Sequence, residues 1–113
     1  TLSPHCEATW QADKTAFLAL CRHITETDIK GTVIAIQIEN EPGLIGTMRD
    51  YSENATALYN APVPSEVEAL MKKSGTWEDV YGFYAPEYFT AYHIARYIDG
   101  IALAAREVTA LFM

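Results

Sequence analysis

Residues 32–38 read TVIAIQI, and residues 39–43 directly after them read ENEPG. The first run is rich in β-branched residues and almost continuously apolar. Such a run indicates a strand buried on both faces, as in a parallel sheet, whereas alternation would indicate one solvated face. Pro42 and Gly43 then end the predicted strand and turn the chain. Two acids and an amide therefore follow a buried strand. Burial of these polar groups costs free energy unless they face a polar cavity or solvent.

A helix is predicted on each side of this strand. Apolar residues recur at helical spacing before it, at Phe17, Leu20, Cys21 and Ile24. This periodicity predicts a helix over residues 7–27, which Gly31 ends. Pro86 opens a second predicted helix over residues 85–108. Residues 109–113 are apolar again and are typical of the start of another strand.

Residues 44–84 form a long loop in this interpretation. We expect one short helix beginning at Pro64 and a second short turn with Thr76 as its N-cap. Residues 49–54 are turn-rich. The order helix, strand, long loop, helix and start of strand predicts an α/β fold with a parallel sheet. One strand cannot make a sheet, so we expect residues 1–113 to be one partial domain that further strands complete.

Composition and charge exclude several classes of function. The formal net charge is −7, and an acidic chain repels phosphate backbones, so we expect no nucleic-acid partner. No apolar run reaches the ~18 residues that a membrane span needs, so we expect no membrane partner. The two cysteines and three histidines lack the spacing of metal ligands, and we expect no metal site and no cofactor.

Glu41 is the candidate catalytic residue. It follows a predicted parallel strand, at the carboxyl end where barrel enzymes place catalytic groups. Cleavage of a glycosidic bond needs one carboxyl group to protonate the leaving oxygen, and the retaining mechanism needs a second carboxylate about 5–5.5 Å away as nucleophile. Asn40 can hydrogen-bond a sugar hydroxyl beside Glu41. The alternative for a lone glutamate at a strand end is a solvated loop residue.

The tripeptide NEP at residues 40–42 resembles the acid/base signature of the clan of retaining (β/α)8 glycosidases. Further motifs extend the likeness: LSP at 2–4, ADKTAF at 12–17, VIAIQIENE at 33–41, RDYS at 49–52, APVP at 61–64, GTWE at 75–78 and HIARYID at 93–99. Together they resemble the β-galactosidase-like enzymes of glycoside hydrolase family 35, most of all the bacterial branch with a family-42-like barrel. The likeness spans nearly all of the chain. Pro42 departs from that branch, which more often has an aliphatic residue there, and this leaves the subfamily open.

The resemblance implies a segment of a TIM (β/α)8 barrel. Residues 7–27 would be its third helix, residues 32–38 its fourth strand and residues 85–108 its fourth helix. The long loop would connect that strand to that helix, and the last residues would start the fifth strand. Residues 1–113 would then be part of a glycosidase catalytic domain, and the remainder of the barrel would be needed for a complete site.

The resemblance also implies a fragment of a retaining β-galactosidase-like hydrolase that acts on a β-galactoside or a related oligosaccharide. Glu41 would be its acid/base, with Asn40 as its sugar-binding neighbour. Glu39, beside Asn40, and Trp77, in the aromatic-rich loop, are further candidate substrate-binding residues. The family's nucleophile is a second glutamate, to which no residue of this sequence can be matched, so we expect the chain to be inactive alone. For Trp77 and the other loop aromatics, packing of the loop is the alternative to stacking on a sugar.

A non-catalytic function is the alternative to hydrolysis. The same residues could belong to a carbohydrate-binding or interaction module derived from a barrel segment. Such a module would bind sugar without using Glu41 in proton transfer, so a substitution at Glu41 separates the two functions.

Overall fold

The computed structural model of the chain describes residues 3–113. Over this range it contains five α-helices: α1 (Glu7–Thr27), α2 (Glu53–Asn60), α3 (Ser65–Met71), α4 (Trp77–Tyr81) and α5 (Ala85–Arg106). A 3₁₀ turn over Gly82–Tyr84 joins α4 to α5. Helix α5 packs against both α1 and α4. No helix in this range combines the length and the apolar composition that a membrane crossing requires.

The predicted sheet is absent from the part of the chain that the structure describes, so the prediction of an α/β segment of a TIM (β/α)8 barrel is wrong. Helices hold 59% of the residues and strand 4%, which defines a small, mostly helical domain. The expected fourth and fifth strands, residues 32–38 and 109–113, meet at one isolated parallel bridge between Ala35 and Phe112. There the Ile36 amide donates to the Phe112 carbonyl over 2.9 Å.

The lack of neighbouring strands among residues 3–113 explains why an apolar, β-branched segment forms no sheet there. Strand propensity reflects packing on a pleated, half-buried surface, and a pair of strands by itself has little stability. In the described part of the chain, residues 32–38 form one backbone bridge, and Ile34 is 76% exposed. The sequence pattern marks an apolar segment, but it does not supply the partners that turn such a segment into a sheet.

The predicted helices are confirmed. Helix α1 has the bounds that the apolar spacing predicts. Helix α5 begins as predicted at Ala85 and ends at Arg106, slightly before the expected end. Helix α3 begins directly after its N-cap Pro64. Thr76 caps α4 in a capping box, in which its hydroxyl accepts from the Asp79 amide and the Asp79 carboxylate accepts from the Thr76 amide.

Helix α2 is not predicted by the sequence, because the turn-rich residues 49–54 obscure its start. The Ser52 hydroxyl accepts a hydrogen bond from the Ala55 amide over 3.3 Å, and Glu53 lies in the first turn. An N-cap serine followed by an acid is a helix-start signal. Helix α2 then buries Ala55 and Tyr59.

The short helices surround an aromatic core on the first half of α5. The rings of Trp77 and Phe89 lie 5.4 Å apart at 83°, an edge-to-face arrangement. Tyr59 of α2 packs on Phe89 in the same way, with ring centroids 5.3 Å apart. The buried members of this aromatic core are Ala55, Tyr59, Val63, Val67, Trp77, Val80, Ala85 and Phe89. Residues 53–84, expected as a loop, are therefore a packed part of the domain.

A close contact joins α1 to α5. The indole Nε1 of Trp10 donates to the Tyr97 carbonyl over 3.1 Å. A Cβ atom at Gly100 would lie 2.9 Å from Cζ2 of Trp10, so glycine permits the ring to lie this close. The Tyr97 hydroxyl also hydrogen-bonds the Asp13 carboxylate. These contacts fix the relative position of the two helices at the level of Tyr97.

Replacing Thr76 by alanine removes the capping box of α4 and should lower the free energy of unfolding by about 1 kcal/mol. The loss follows because the Asp79 amide at the start of α4 loses its acceptor. Urea unfolding followed by circular dichroism measures the change. The control is Thr15→Ala in α1, whose exposed hydroxyl bonds the Gln11 carbonyl and whose loss should change stability by less than ~0.5 kcal/mol. Equal effects of the two substitutions would contradict a special role for the cap.

Candidate functional site

An open cleft lies beside the contact of α1 with α5. Its volume is about 350 Å³, and it is lined by residues 3–4, residues 39–44 and side chains from the two helices. Three of the predicted site residues, Glu39, Asn40 and Glu41, lie together along it. The structure therefore brings these three to one cavity, although the sheet that was expected to place them there is absent from residues 3–113.

The backbone is sharply turned at both glutamates of the cleft. Glu39 has a φ of 62° and Glu41 a φ of 49°, in the left-handed region that non-glycine residues seldom adopt. The side-chain amide of Gln37 donates to the Glu39 carbonyl over 2.9 Å and to Asn40 Oδ1 over 3.2 Å. Asn40 Oδ1 is thus used within the turn, and its Nδ2 group can donate to a ligand. Glu39, Asn40 and Glu41 are all exposed.

A hydrogen-bonded pair from the two long helices forms another polar part of the cleft. The Tyr97 hydroxyl of α5 donates to Oδ2 of Asp13 in α1. Burial, the hydrogen bond to Asp13 and the negative charges of Asp13 and Glu39 raise the pKa of Tyr97, so the phenol stays protonated and remains a donor. Ile94 and Ile98, also of α5, add apolar surface.

Trp77 lies in the aromatic core and not at the cleft. It is 1% exposed. Its ring stacks on Tyr81 with centroids 5.9 Å apart and packs against Phe89 and Tyr92 at 5.4 Å each. In this packing the indole has no surface to offer a sugar ring, and Trp77 takes the packing role that was the alternative to substrate binding.

A largely buried cluster at Asp50 holds the N-terminal residues beside the cleft. Asp50 accepts hydrogen bonds from the Ser3 hydroxyl, from His5 Nδ1 over 3.1 Å and from the Ser52 amide over 2.8 Å. Burial opposes the ionisation of Asp50, but these hydrogen bonds outweigh it and lower the pKa of Asp50 to about 2. Ser3 also lines the cleft, so the cluster ties the cleft to the segment before α2.

Two histidines pack together between this cluster and the aromatic core. The His5 ring stacks on Phe89 with centroids 4.9 Å apart, and it lies 4.7 Å from the ring of His93. Burial first, and then repulsion by His5 and Arg96, lower the pKa of His93 to about 4, so His93 is neutral at pH 7. Among the described residues, His, Cys, Asp and Glu form no group of three or more that could hold a metal ion.

No local sequence pattern predicts that Asp13 and Tyr97 lie next to each other. They are 84 residues apart, and helical periodicity places Asp13 on the charged side of one helix and Tyr97 on the packed face of another. His5 and Asp50 are 45 residues apart, and no local pattern predicts their contact either. Ser52 is different, because its amide bonds the side chain of Asp50 two residues earlier, an Asx turn that composition can indicate.

Comparison with known proteins does not identify a family. No protein-family model matches the chain, and no curated protein matches it significantly. The likeness to glycoside hydrolase family 35 therefore rests on the sequence motifs alone.

The stability of the protein should fall in two steps as the pH decreases. The pKa values of His93 and Asp50 in the folded protein lie below their ordinary values of 6.5 and 3.8, so the unfolded chain binds more protons in between. The free energy of unfolding should therefore decrease from about pH 6.5 to about pH 4 through His93. It should decrease further from about pH 3.8 to about pH 2 through Asp50.

Urea unfolding across the acid range tests both steps. His93→Phe keeps an aromatic ring beside the aromatic core and should flatten the upper step, whereas Asp50→Asn should flatten the lower one. His23→Gln, at an exposed position of α1, is the control and should leave both steps in place. A His93→Phe profile that keeps the full upper slope would show that another group causes it.

Proposed function

We propose that Glu41 is the acid/base residue of a retaining, β-galactosidase-like glycoside hydrolase to which this chain contributes. The observation that carries the proposal is the joint position of Glu39, Asn40 and Glu41 along one cleft, together with the pair of Asp13 and Tyr97. The motifs that resemble glycoside hydrolase family 35 supply the substrate class, a β-galactoside or a related oligosaccharide.

The cleft suits a sugar in size and in chemistry. Its volume of about 350 Å³ lies within the ~300–1,000 Å³ typical of small-molecule sites. Leu44, Ile94 and Ile98 provide apolar surface for the face of a sugar ring. Asn40 and Glu39 provide a donor and an acceptor for its hydroxyl groups. This mixture of apolar surface and a few polar groups is the usual composition of a ligand site.

Glu41 would act twice in the reaction. In the first step a second carboxylate, to which no residue of this sequence is matched, would bond to the anomeric carbon while protonated Glu41 gives its proton to the leaving oxygen. In the second step the Glu41 carboxylate would take a proton from the water that attacks the same carbon, and the bond to the second carboxylate would break. An exposed side chain on a turn is accessible both to the leaving oxygen and to that water. The nucleophile is assigned to no residue of this sequence, so we expect residues 1–113 alone to bind sugar without hydrolysing it.

A carbohydrate-binding module without catalysis is the second candidate. One observation favours it: this chain forms a cleft with hydrogen-bonding groups by itself, whereas no residue of its sequence is matched to a nucleophile. In that case Glu41 contacts sugar hydroxyl groups and transfers no proton.

Glu41→Gln should lower kcat for β-galactoside hydrolysis ~10²–10⁴-fold, because an amide cannot supply the proton of an acid. The loss in kcat/KM should be largest for substrates with a weakly acidic leaving alcohol. It should be smallest for nitrophenyl galactosides, whose leaving group departs without protonation. The assay uses the protein at its natural length and a series of β-galactosides with leaving groups of graded acidity.

The matched control is Glu68→Gln, at an exposed position of α3, which should keep wild-type turnover. Unchanged turnover in Glu41→Gln would remove Glu41 from catalysis. Galactoside binding without turnover in the wild-type protein would support the carbohydrate-binding module instead.

A further inference from the structure

We propose that Asp13, held in place by Tyr97, accepts a hydrogen bond from one hydroxyl group of the sugar in the cleft and thereby helps to select the sugar. The inference rests on the proposed function, because that function supplies the sugar. It assigns Asp13 a specificity-determining role that is separate from proton transfer by Glu41.

The carboxylate of Asp13 has one oxygen held and one oxygen available to a ligand. Tyr97 donates to Oδ2, and Asp13 is one of the residues that line the cleft. An ionised carboxyl group is an acceptor only, with about four lone-pair sites on its two oxygens, so Oδ1 can take a donor from a ligand. Hydrogen bonds to a charged acceptor are stronger than those between neutral groups, which makes such a contact selective.

Tyr97 is itself fixed by the packing of the two long helices. Its carbonyl accepts from Trp10 Nε1 over 3.1 Å, and Trp10 lies against Gly100, whose missing side chain permits the approach. Both the backbone and the hydroxyl of Tyr97 are therefore tied to α1. The Asp13 carboxylate is held before a ligand arrives, which lowers the entropy cost of binding.

The charges of the cleft favour a neutral ligand with several hydroxyl groups. Asp13, Glu39 and Glu41 line it, and none of the described lining residues is basic. A phosphate or carboxylate ligand would be repelled. The described acids also form no group of three or more that could hold a metal ion. A neutral ligand whose hydroxyl groups donate to carboxylates meets these conditions, and a sugar is such a ligand.

Deoxy sugars test the contact directly. Methyl β-thiogalactoside, which resists hydrolysis, and its monodeoxy analogues are titrated into the protein at its natural length and followed by NMR. In the wild type, removing the hydroxyl group that Asp13 accepts should weaken binding ~10-fold or more. Asp13→Ala should weaken binding of the parent sugar by a similar factor. The Asp13→Ala variant should bind that one analogue as tightly as it binds the parent sugar, because both changes remove the same hydrogen bond.

A second variant and a control keep the test decisive. Asp13→Asn retains an oxygen for Tyr97 but presents an NH2 group that cannot accept from a sugar hydroxyl. It should show the same single-analogue pattern, so it replaces the alanine variant if that one does not fold. Asp99→Ala, at an exposed position of α5, should bind every sugar as the wild type does.

Two negative outcomes are distinguishable. An equal loss for the parent sugar and for every analogue in the Asp13 variants means that Asp13 joins the helices and contacts no sugar, which overturns this inference and leaves the proposed function standing. Failure of the wild-type protein to bind the parent sugar overturns the proposed function, and the inference with it.

Discussion

The contact between α1 and α5 determines the shape of the cleft. Trp10 lies against Gly100 and donates to the Tyr97 carbonyl, while the Tyr97 hydroxyl reaches Asp13. A Cβ atom at position 100 would lie 2.9 Å from the indole ring, so the ring or the helices would have to shift. The position of these polar groups is therefore a consequence of helix packing and does not require a sheet.

The cluster at Asp50 gives the cleft its second support. It ties Ser3 and His5 to the start of α2, and the His5 ring stacks on Phe89 of α5. The N-terminal residues that line the cleft are in this way attached to the aromatic core. Trp77 packs against the same phenylalanine and does not line the cleft.

Local patterns explain which parts of the structure could be predicted from the sequence. Apolar spacing and capping residues such as Thr76 are read within one or two turns, so α1, α5 and the start of α4 could be predicted. Residues 39–41 could be grouped because they are adjacent. A local pattern could not show whether residues 32–38 form part of a sheet, because a strand needs neighbouring strands to pair with. The pair of Asp13 and Tyr97 could not be found either, because it depends on how two helices meet.

The two left-handed glutamates link the backbone to the proposed chemistry. A non-glycine residue in this region is strained, at a cost of about 1–3 kcal/mol. Glycine would relieve the strain at position 39 or 41, but it would remove a carboxylate from the cleft. Gln37 offsets part of the cost by donating to the Glu39 carbonyl and to Asn40. The turn therefore directs two successive acidic positions to the cleft, and the Asp13 carboxylate reaches the same cleft from α1.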